Sequence, residues 1–328
     1  MILTLTRFER IMIRMPLISF LLKGSKTWKI PGFEGVSLYE VIKFFNGQLK
    51  THGITERASA IAFNFINAIP PTCLFIFTLI PNLSFIPKKT IQNQLHNLIL
   101  DVIPSKSYNS GLISFVDYFF KGAKFGILSF GFVLLLFFAS NAMMGVMRSF
   151  NRGYLDFEKR NGLQRRWVAI KLTVLLFTLM LLCLVLLVTQ GNILTYLGIQ
   201  NMTIKHLITY GRWIFIILLV FYSFAFIYRY APATQKRWNL LSPGSIIATF
   251  LSIIGTVSFL AFVNNFNRYN VLYGSIGTVI VIMILVYINS LIILIGFEFN
   301  VSIKTLHAQV EEKQIDRKLL LSKNSFKT

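Results

Sequence analysis

Glu298 is the residue whose type and position point most directly to a chemical role. It closes the longest apolar run of the chain, because residues 276–297 before it carry no charge. At the C-terminal end of a helix the backbone dipole opposes an acid by about 0.3–1 kcal/mol, so a compensating cation is expected. Three arginines predicted at the same depth are candidate partners for an ion pair: Arg148, Arg152 and Arg229.

A second interpretation of Glu298 is a carboxylate that couples transport to a proton or another ion. That role requires a group secluded from water with no cation nearby. Acids within transmembrane segments usually pair with a cation, although they also mark transport paths. The ion pair is therefore the favoured interpretation, and coupling is kept as the alternative.

A polar path is the second candidate site, in the first apolar segment. Asn64 and Asn67 share a predicted helical face, and Pro70 with Pro71 interrupts the backbone hydrogen bonds in mid-segment. Two carboxamides and freed carbonyls can bind a polar substrate or a cation. Equally, each Asn can be satisfied by the other, by a neighbouring helix or by its own helix. Both interpretations stay open.

Residue spacing elsewhere predicts no enzyme, no metal site and no cofactor. The four histidines lie far apart without metal-ligand spacing, and no phosphate-binding loop, dinucleotide fingerprint or nucleophile elbow occurs. The two cysteines fall within apolar segments, where they behave as small apolar residues. The histidines and cysteines are His52, His96, His206, His307, Cys73 and Cys183.

Composition identifies the elements that must position these residues. The chain is 55% hydrophobic, only 14% charged and has a mean hydropathy of +0.64, which is typical of a membrane protein. Six segments approach the roughly 20 apolar residues that a membrane-crossing helix needs. They are predicted at 58–80, 125–147, 168–190, 213–228, 243–263 and 273–297, the fourth being the shortest. The predicted fold class is an all-α integral membrane protein, a six-transmembrane-helix bundle with interfacial amphipathic helices.

The net charge of +21 predicts an orientation and not a nucleic-acid surface. Nine Lys or Arg lie in residues 1–57, seven in 148–171, three in 229–237 and six after Asn300, whereas the intervening connections hold eight. This alternation predicts six spans with both termini cytoplasmic. Anionic lipid of the inner leaflet is the expected partner of the remaining positive charge, and no nucleic acid is expected.

Three regions outside the six segments have their own expected character. Residues 1–57 form a cytoplasmic segment whose capping box, Ser37 with Glu40, opens an interfacial amphipathic helix. The membrane domain covers 58–300 and includes a connection at 81–124 that is predicted to hold two short extracytoplasmic helices. Residues 301–328 are expected to be a partly disordered cytoplasmic tail.

Small residues repeat every four positions on two of the predicted spans. Such faces allow close approach of helix backbones in lipid, so both are interpreted as helix-packing surfaces. The residues are Asn141, Gly145, Ser149 and Gly153 at the end of span two, and Gly244, Ala248 and Ser252 along span five.

Several motifs together resemble the YihY/BrkB family of bacterial inner-membrane proteins. They are "RASAIAFNFINAIPP", "RSFNRGY", "YRYAP" leading to "SPGS", and "YGSIGTVIVIMILVYINSLIILIGFEFN". The resemblance runs from about residue 37 to 300. The family commonly has Gly-Ala-Glu at its end, where this chain has Gly296, Phe297 and Glu298.

The resemblance implies a six-span inner-membrane protein whose relatives once carried the label ribonuclease BN, now generally regarded as mistaken. Links to envelope integrity and virulence, and transport of a lipid or small solute, have been suggested for members. Two functional hypotheses follow: a transporter-like or lipid-handling protein, or a non-transporting scaffold for envelope integrity. A cavity between spans one, two and six would favour the first.

Overall fold

The protein is described by a computed structural model, and the regular secondary structure of the described residues is entirely helical. The described residues are 32–33, 35–51, 53–79, 88–102, 106–120, 125–151, 160–188, 202–234, 237–265 and 275–325. The helices are α1 (Leu38–Thr51), α2 (Ile54–Leu79), α3 (Lys88–Val102), α4 (Lys106–Phe120), α5 (Phe125–Asn151), α6 (Gly162–Val188), α7 (Met202–Tyr230), α8 (Pro243–Asn265) and α9 (Ser275–Ser325).

Six of these helices are long and apolar enough to cross a membrane, as the sequence predicted. They are α2, α5, α6, α7, α8 and α9. The fourth, α7, begins at Met202 and not at 213, and it has 29 residues. Lys205 and Arg212 lie before the apolar stretch of α7, so the apolar segment begins later than the helix. Charged side chains are compatible with a helical backbone outside lipid.

The six spans pack as a closed ring in chain order. Each span contacts the next, and the ring closes because α2 packs against α9 as well as α5. Consecutive spans alternate in direction, so the start of α2, the end of α5 and the Glu298 region of α9 lie at one end of the bundle. We call this the Glu298 end.

The main hydrophobic core fills the ring at the Glu298 end. It combines buried residues from all six spans, including Ile61, Met147, Ala169, Tyr228 and Ala248 with a run of α9 residues. Because this core is apolar and closely packed, the polar groups within it need partners inside the protein.

The last helix is far longer than its apolar segment. α9 has 51 residues, which correspond to about 75 Å at helical rise, more than twice a hydrocarbon core of about 30 Å. The expected tail from residue 301 is thus a helical continuation as far as Ser325, and the predicted boundary at Asn300 lies inside the helix. Sequence patterning missed this because a charged, solvated helix lacks an apolar stripe.

The continuation of α9 also receives helix α1. Val41 and Phe45 of α1 pack against Phe299 and Ile303, and the Phe45 and Phe299 rings meet edge to face with centroids 5.6 Å apart. One half of the predicted capping box is present, with the Glu40 amide donating to Ser37 Oγ at 3.3 Å, while the Ser37 hydroxyl donates to Glu40 Oε2 at 3.2 Å. Much of the apolar face predicted to lie on the membrane therefore packs against α9.

Two short helices, α3 and α4, occupy the connection between α2 and α5, as predicted. Leu95 and Val116 form their shared apolar contact. Asp117 of α4 accepts hydrogen bonds from Gln92 at 2.6 Å and from His96 at 2.8 Å, both on α3. This hairpin lies at the end of the bundle opposite Glu298, since it joins the C-terminus of α2 to the N-terminus of α5.

Candidate functional site

Glu298 forms a buried ion pair with Arg57. Arg57 Nη1 lies 2.6 Å from Glu298 Oε1, and the two side chains are 3% and 1% exposed. Arg57 belongs to the first turn of α2, whereas Glu298 lies within α9. Two opposite charges in van der Waals contact inside an apolar core attract strongly, and either one alone would be costly to bury. The pair therefore ties the first span to the last.

A second contact of Arg57 brings in a third helix. Arg57 Nη2 donates to the backbone carbonyl oxygen of Ser149 at 2.8 Å. α5 ends at Asn151, so this carbonyl belongs to the last turn, where the oxygens lack partners in their own helix. A cation at a helix C-terminus is also favoured by the helix dipole. Arg57 thus joins α2, α5 and α9 through one guanidinium group.

Aromatic rings pack together next to the ion-pair residues in the chain, since Phe150 follows Ser149 and Phe297 precedes Glu298. The rings of Phe150 and Phe297 are stacked with centroids 3.9 Å apart and planes 2° from parallel. Trp238 packs on Phe297 at 5.6 Å, and the buried Tyr228 hydroxyl donates to the carbonyl oxygen of Ile293 at 3.0 Å. Phe297, which stands where the resembled family commonly has Ala, is thus the centre of the aromatic packing beside Glu298.

The ion pair corrects the predicted partners of Glu298. Arg148 is exposed on α5, and Arg229 is half-buried with its guanidinium 5.8 Å from the centroid of the Tyr230 ring. Arg152 lies outside the described residues. The dipole argument also fails, because α9 continues beyond Glu298 and the acid is not at a helix C-terminus. The coupling interpretation required that no cation lie near Glu298, and the contact with Arg57 does not meet this condition.

A periodic signal in the sequence points to Arg57. It falls on the same face of α2 as Ile61 and Ala68, and all three are buried. Arg148, by contrast, points away from the core although its neighbours Met147 and Ser149 are buried. Because Arg57 was counted with the positive charges of residues 1–57 that indicate orientation, its position at the start of the buried face of α2 was missed.

The small residues predicted on span five face α9 at close range. A Cβ atom on Gly244 would clash with the carbonyl oxygen of Gly296, and one on Gly296 would lie 2.9 Å from Ala248 Cβ. Farther along, Ser252 Oγ donates to Asn289 Oδ1 of α9 at 2.6 Å. The crossing is therefore backbone against backbone at one level and polar at another.

Asn300 completes this crossing at the N-terminus of α8. Its Oδ1 accepts from the Gly244 amide at 2.8 Å, and its Nδ2 donates to Ser242 Oγ at 3.0 Å. Ser242 is the N-cap, with Oγ accepting from the Ser245 amide at 3.3 Å, and Pro243 takes the first helical position that suits it. A side chain of α9 thus accepts a hydrogen bond from a backbone amide at the N-terminus of α8.

The small residues predicted on span two have different neighbours. Gly145 faces α2, because a Cβ there would lie 3.1 Å from Asn64 Nδ2. The Ser149 carbonyl accepts from Arg57, while Asn141 Oδ1 accepts from Arg166 Nη1 of α6. Gly153 lies outside the described residues. The stripe therefore serves two neighbouring helices and not one.

The residues of the predicted polar path are divided between two faces of α2. Asn64 lies towards α5, whereas Asn67 and Pro70 are exposed and Pro71 is buried. Each amide donates to the carbonyl four residues earlier, Asn64 to Ala60 at 2.7 Å and Asn67 to Phe63 at 3.0 Å. The two carboxamides are satisfied by their own helix, which was one of the two interpretations left open.

A cavity of about 250 Å³ lies between α2, α5 and α6, which are spans one, two and three. Its lining is mainly apolar and includes Ala68, Leu135, Ala139 and Phe177. Thr173 also lines it, and the buried Thr173 Oγ1 has no hydrogen-bond partner in the described part of the chain. The neighbouring double proline leaves two α2 carbonyls without amide partners. This cavity adjoins span three, whereas the location that the sequence made most informative was between spans one, two and six.

Among the described residues, no three His, Cys, Asp or Glu side chains lie close enough together to hold a metal ion. The buried carboxylate of Glu298 is engaged by Arg57. The chemistry that this arrangement supports is thus electrostatic cross-linking of helices at one end, and accommodation of an apolar group in the cavity.

Comparison with known proteins identifies several relatives. The chain is 28% identical over 255 residues to "Putative ribonuclease-like protein YfkH" of Bacillus subtilis (strain 168), a match that covers 76% of this chain and 90% of that protein. It is 26% identical over 270 residues to a "UPF0761 membrane protein" of Chromohalobacter salexigens, covering 80% of this chain and 62% of the relative.

A shorter match links the chain to "UPF0761 membrane protein IL2447" of Idiomarina loihiensis, 27% identical over 104 residues, or 32% of this chain and 37% of that one. No solved structure was found to match. The family model described as "Virulence factor BrkB" matches residues 46–318, which include both Arg57 and Glu298. Since that match covers most of the sequence, the chain belongs to the BrkB family of membrane proteins.

Proposed function

We propose that this protein handles membrane lipid, and that the cavity between α2, α5 and α6 receives a lipid acyl chain. The cavity carries the proposal, because its apolar lining suits a hydrocarbon chain better than a hydrated solute. The break in α2 hydrogen bonding at Pro70 and Pro71 lies beside it. α2 stays one continuous helix from Ile54 to Leu79, so the effect of the two prolines is limited to the loss of two backbone amide donors.

Reconstitution into liposomes with a fluorescent phospholipid tests this function. Dithionite quenches only outward-facing probe, so lipid movement appears as quenching beyond the outer-leaflet fraction. Ala139→Leu adds bulk to the cavity wall and is expected to slow the movement. Ala261→Leu, at an exposed position of α8, is the matched control and should leave the rate unchanged. Absence of lipid movement by folded, reconstituted protein would refute the proposal.

We also infer an inner-membrane location with the Glu298 end facing the cytoplasm. Lys and Arg are concentrated near the ends of the spans that meet there, and such residues are enriched in cytoplasmic loops. Helix α1 and the continuation of α9 would then be cytoplasmic, and α3 with α4 extracytoplasmic. Reporters of opposite compartment preference, fused after Thr328, test the orientation: green fluorescent protein should fluoresce and alkaline phosphatase should stay inactive.

A non-transporting scaffold is the second candidate. The observation that favours it is the projecting end of α9, where residues 308–315 are exposed as a continuous helical surface. If the protein is a scaffold, neither the full-length protein nor a protein shortened after residue 307 moves lipid. The shortening should nevertheless abolish the function of the protein in the cell. Lipid movement that persists in the shortened protein would favour the first proposal instead.

A further inference from the structure

The end of α7 holds two guanidinium groups around one aromatic ring. The guanidinium carbon of Arg229 lies 5.8 Å from the centroid of the Tyr230 ring, and that of Arg237 lies 5.3 Å from the same centroid. One arginine precedes the turn that follows α7 and the other comes after it. Two like charges that share one ring favour an anion close to them.

Two buried N–H donors in the same region lack an acceptor. They are Arg229 Nε and the indole Nε1 of Trp238, neither of which has a hydrogen-bond partner among the described residues. Trp238 directly follows Arg237 and packs on Phe297. Buried donors in folded proteins nearly always find acceptors, so these two are expected to meet an acceptor from outside the described residues.

The turn itself is held firmly by other contacts. The Arg160 guanidinium donates to the carbonyl oxygens of Tyr230, Ala231 and Pro232 at 3.3, 3.2 and 2.9 Å. The Ala233 amide donates to Asn151 Oδ1 at 3.2 Å. Arg160 therefore stabilises the turn and adds a positive charge to the end of α7.

We propose that Arg229, Arg237 and Trp238 form a binding site for the phosphate of an anionic membrane lipid. Guanidinium groups bind phosphate through paired charge-assisted hydrogen bonds. The site lies at the end of a membrane span, where Tyr and Trp favour the headgroup level and basic residues attract anionic lipid. This site retains a lipid whether or not the protein moves one, so it does not depend on the cavity.

Native mass spectrometry of the full-length protein in detergent tests the site. The probe is an equal mixture of phosphatidylglycerol and phosphatidylcholine. We expect preferential retention of phosphatidylglycerol, and a fall in that preference of about tenfold or more in Arg229→Gln/Arg237→Gln, because each basic residue contributes about 1 kcal/mol of attraction. Trp238→Phe keeps the ring and removes one donor, so a smaller fall is expected.

The matched control is Arg148→Gln/Lys313→Gln, which removes two exposed charges and leaves the turn intact. An equal loss in this control would overturn the site in favour of diffuse attraction. Binding of inorganic phosphate without preference between the two lipids would assign the groups to a soluble phosphate. Displacement of the lipid by RNA would also contradict the proposal. If the first variant does not fold, Arg229→Lys/Arg237→Lys should keep charge yet lose part of the preference.

Discussion

Arg57 and Glu298 are 241 positions apart in the sequence, yet their charged atoms lie 2.6 Å apart in the core. Together with the Ser149 carbonyl, this pair connects the first span, the second span and the last. The closing contact of the helical ring is therefore electrostatic as well as apolar.

Removal of either charge should destabilise the protein strongly. We expect Arg57→Gln or Glu298→Gln to lower the free energy of unfolding by about 3–5 kcal/mol, because each leaves an uncompensated buried polar or charged group. Arg57→Leu/Glu298→Leu should be less destabilised than either single variant. Thermal unfolding of the purified protein in detergent measures the series. Arg148→Gln serves as the control, and a comparable loss there would show that the ion pair is not special.

The backbone contact between α8 and α9 makes a second prediction. Gly296→Ala places a methyl group against the Tyr228 hydroxyl, the Gly244 carbonyl and Ala248. We expect a loss of about 1–3 kcal/mol, as for other overpacked sites. Gly211→Ala, where a Cβ meets nothing within 4 Å, should be neutral or slightly stabilising. Equal melting temperatures of the two variants would argue against the close crossing.

The polar contact in mid-span gives a third prediction. Asn289 accepts from Ser252, and its own amide donates to the Leu285 carbonyl oxygen at 3.0 Å. Ser252→Ala should cost about 0.6 kcal/mol, and at most about 1.7 kcal/mol, the range measured for interhelical hydrogen bonds in membranes. Asn67→Leu changes an exposed amide bonded to its own helix and should cost less. A larger effect of Asn67→Leu would revive the polar path.

The hairpin of α3 and α4 should loosen when Asp117 is replaced. Asp117→Ala removes the acceptor shared by Gln92 and His96, so hydrogen exchange should accelerate in these two helices and not in the spans. Glu311→Gln, at an exposed position of α9, should leave exchange in the hairpin unchanged. Acceleration spread over the whole bundle would indicate that the hairpin and the spans unfold together.

The six spans were predictable because lipid imposes a local rule. A segment of about 20 apolar residues must satisfy its backbone hydrogen bonds internally, so its length and composition are sufficient to identify a helix. The two short helices α3 and α4 were predictable for a similar reason, since their apolar stripes have helical spacing, whereas their pairing through Asp117 comes from the structure. The extent of α9 was not, because its charged continuation has no stripe to detect.

The sequence by itself determined that this is a six-span helical membrane protein, and it favoured a cation as the partner of Glu298, although the helix-dipole reason for that expectation does not hold. The tertiary structure decided which cation, because Arg57 meets Glu298 only when the ring closes α2 against α9. It also decided that Asn64 and Asn67 bond to α2 itself and that the cavity adjoins span three. Helical periodicity is a property of neighbouring residues, whereas the partner of a buried charge depends on which helices pack together.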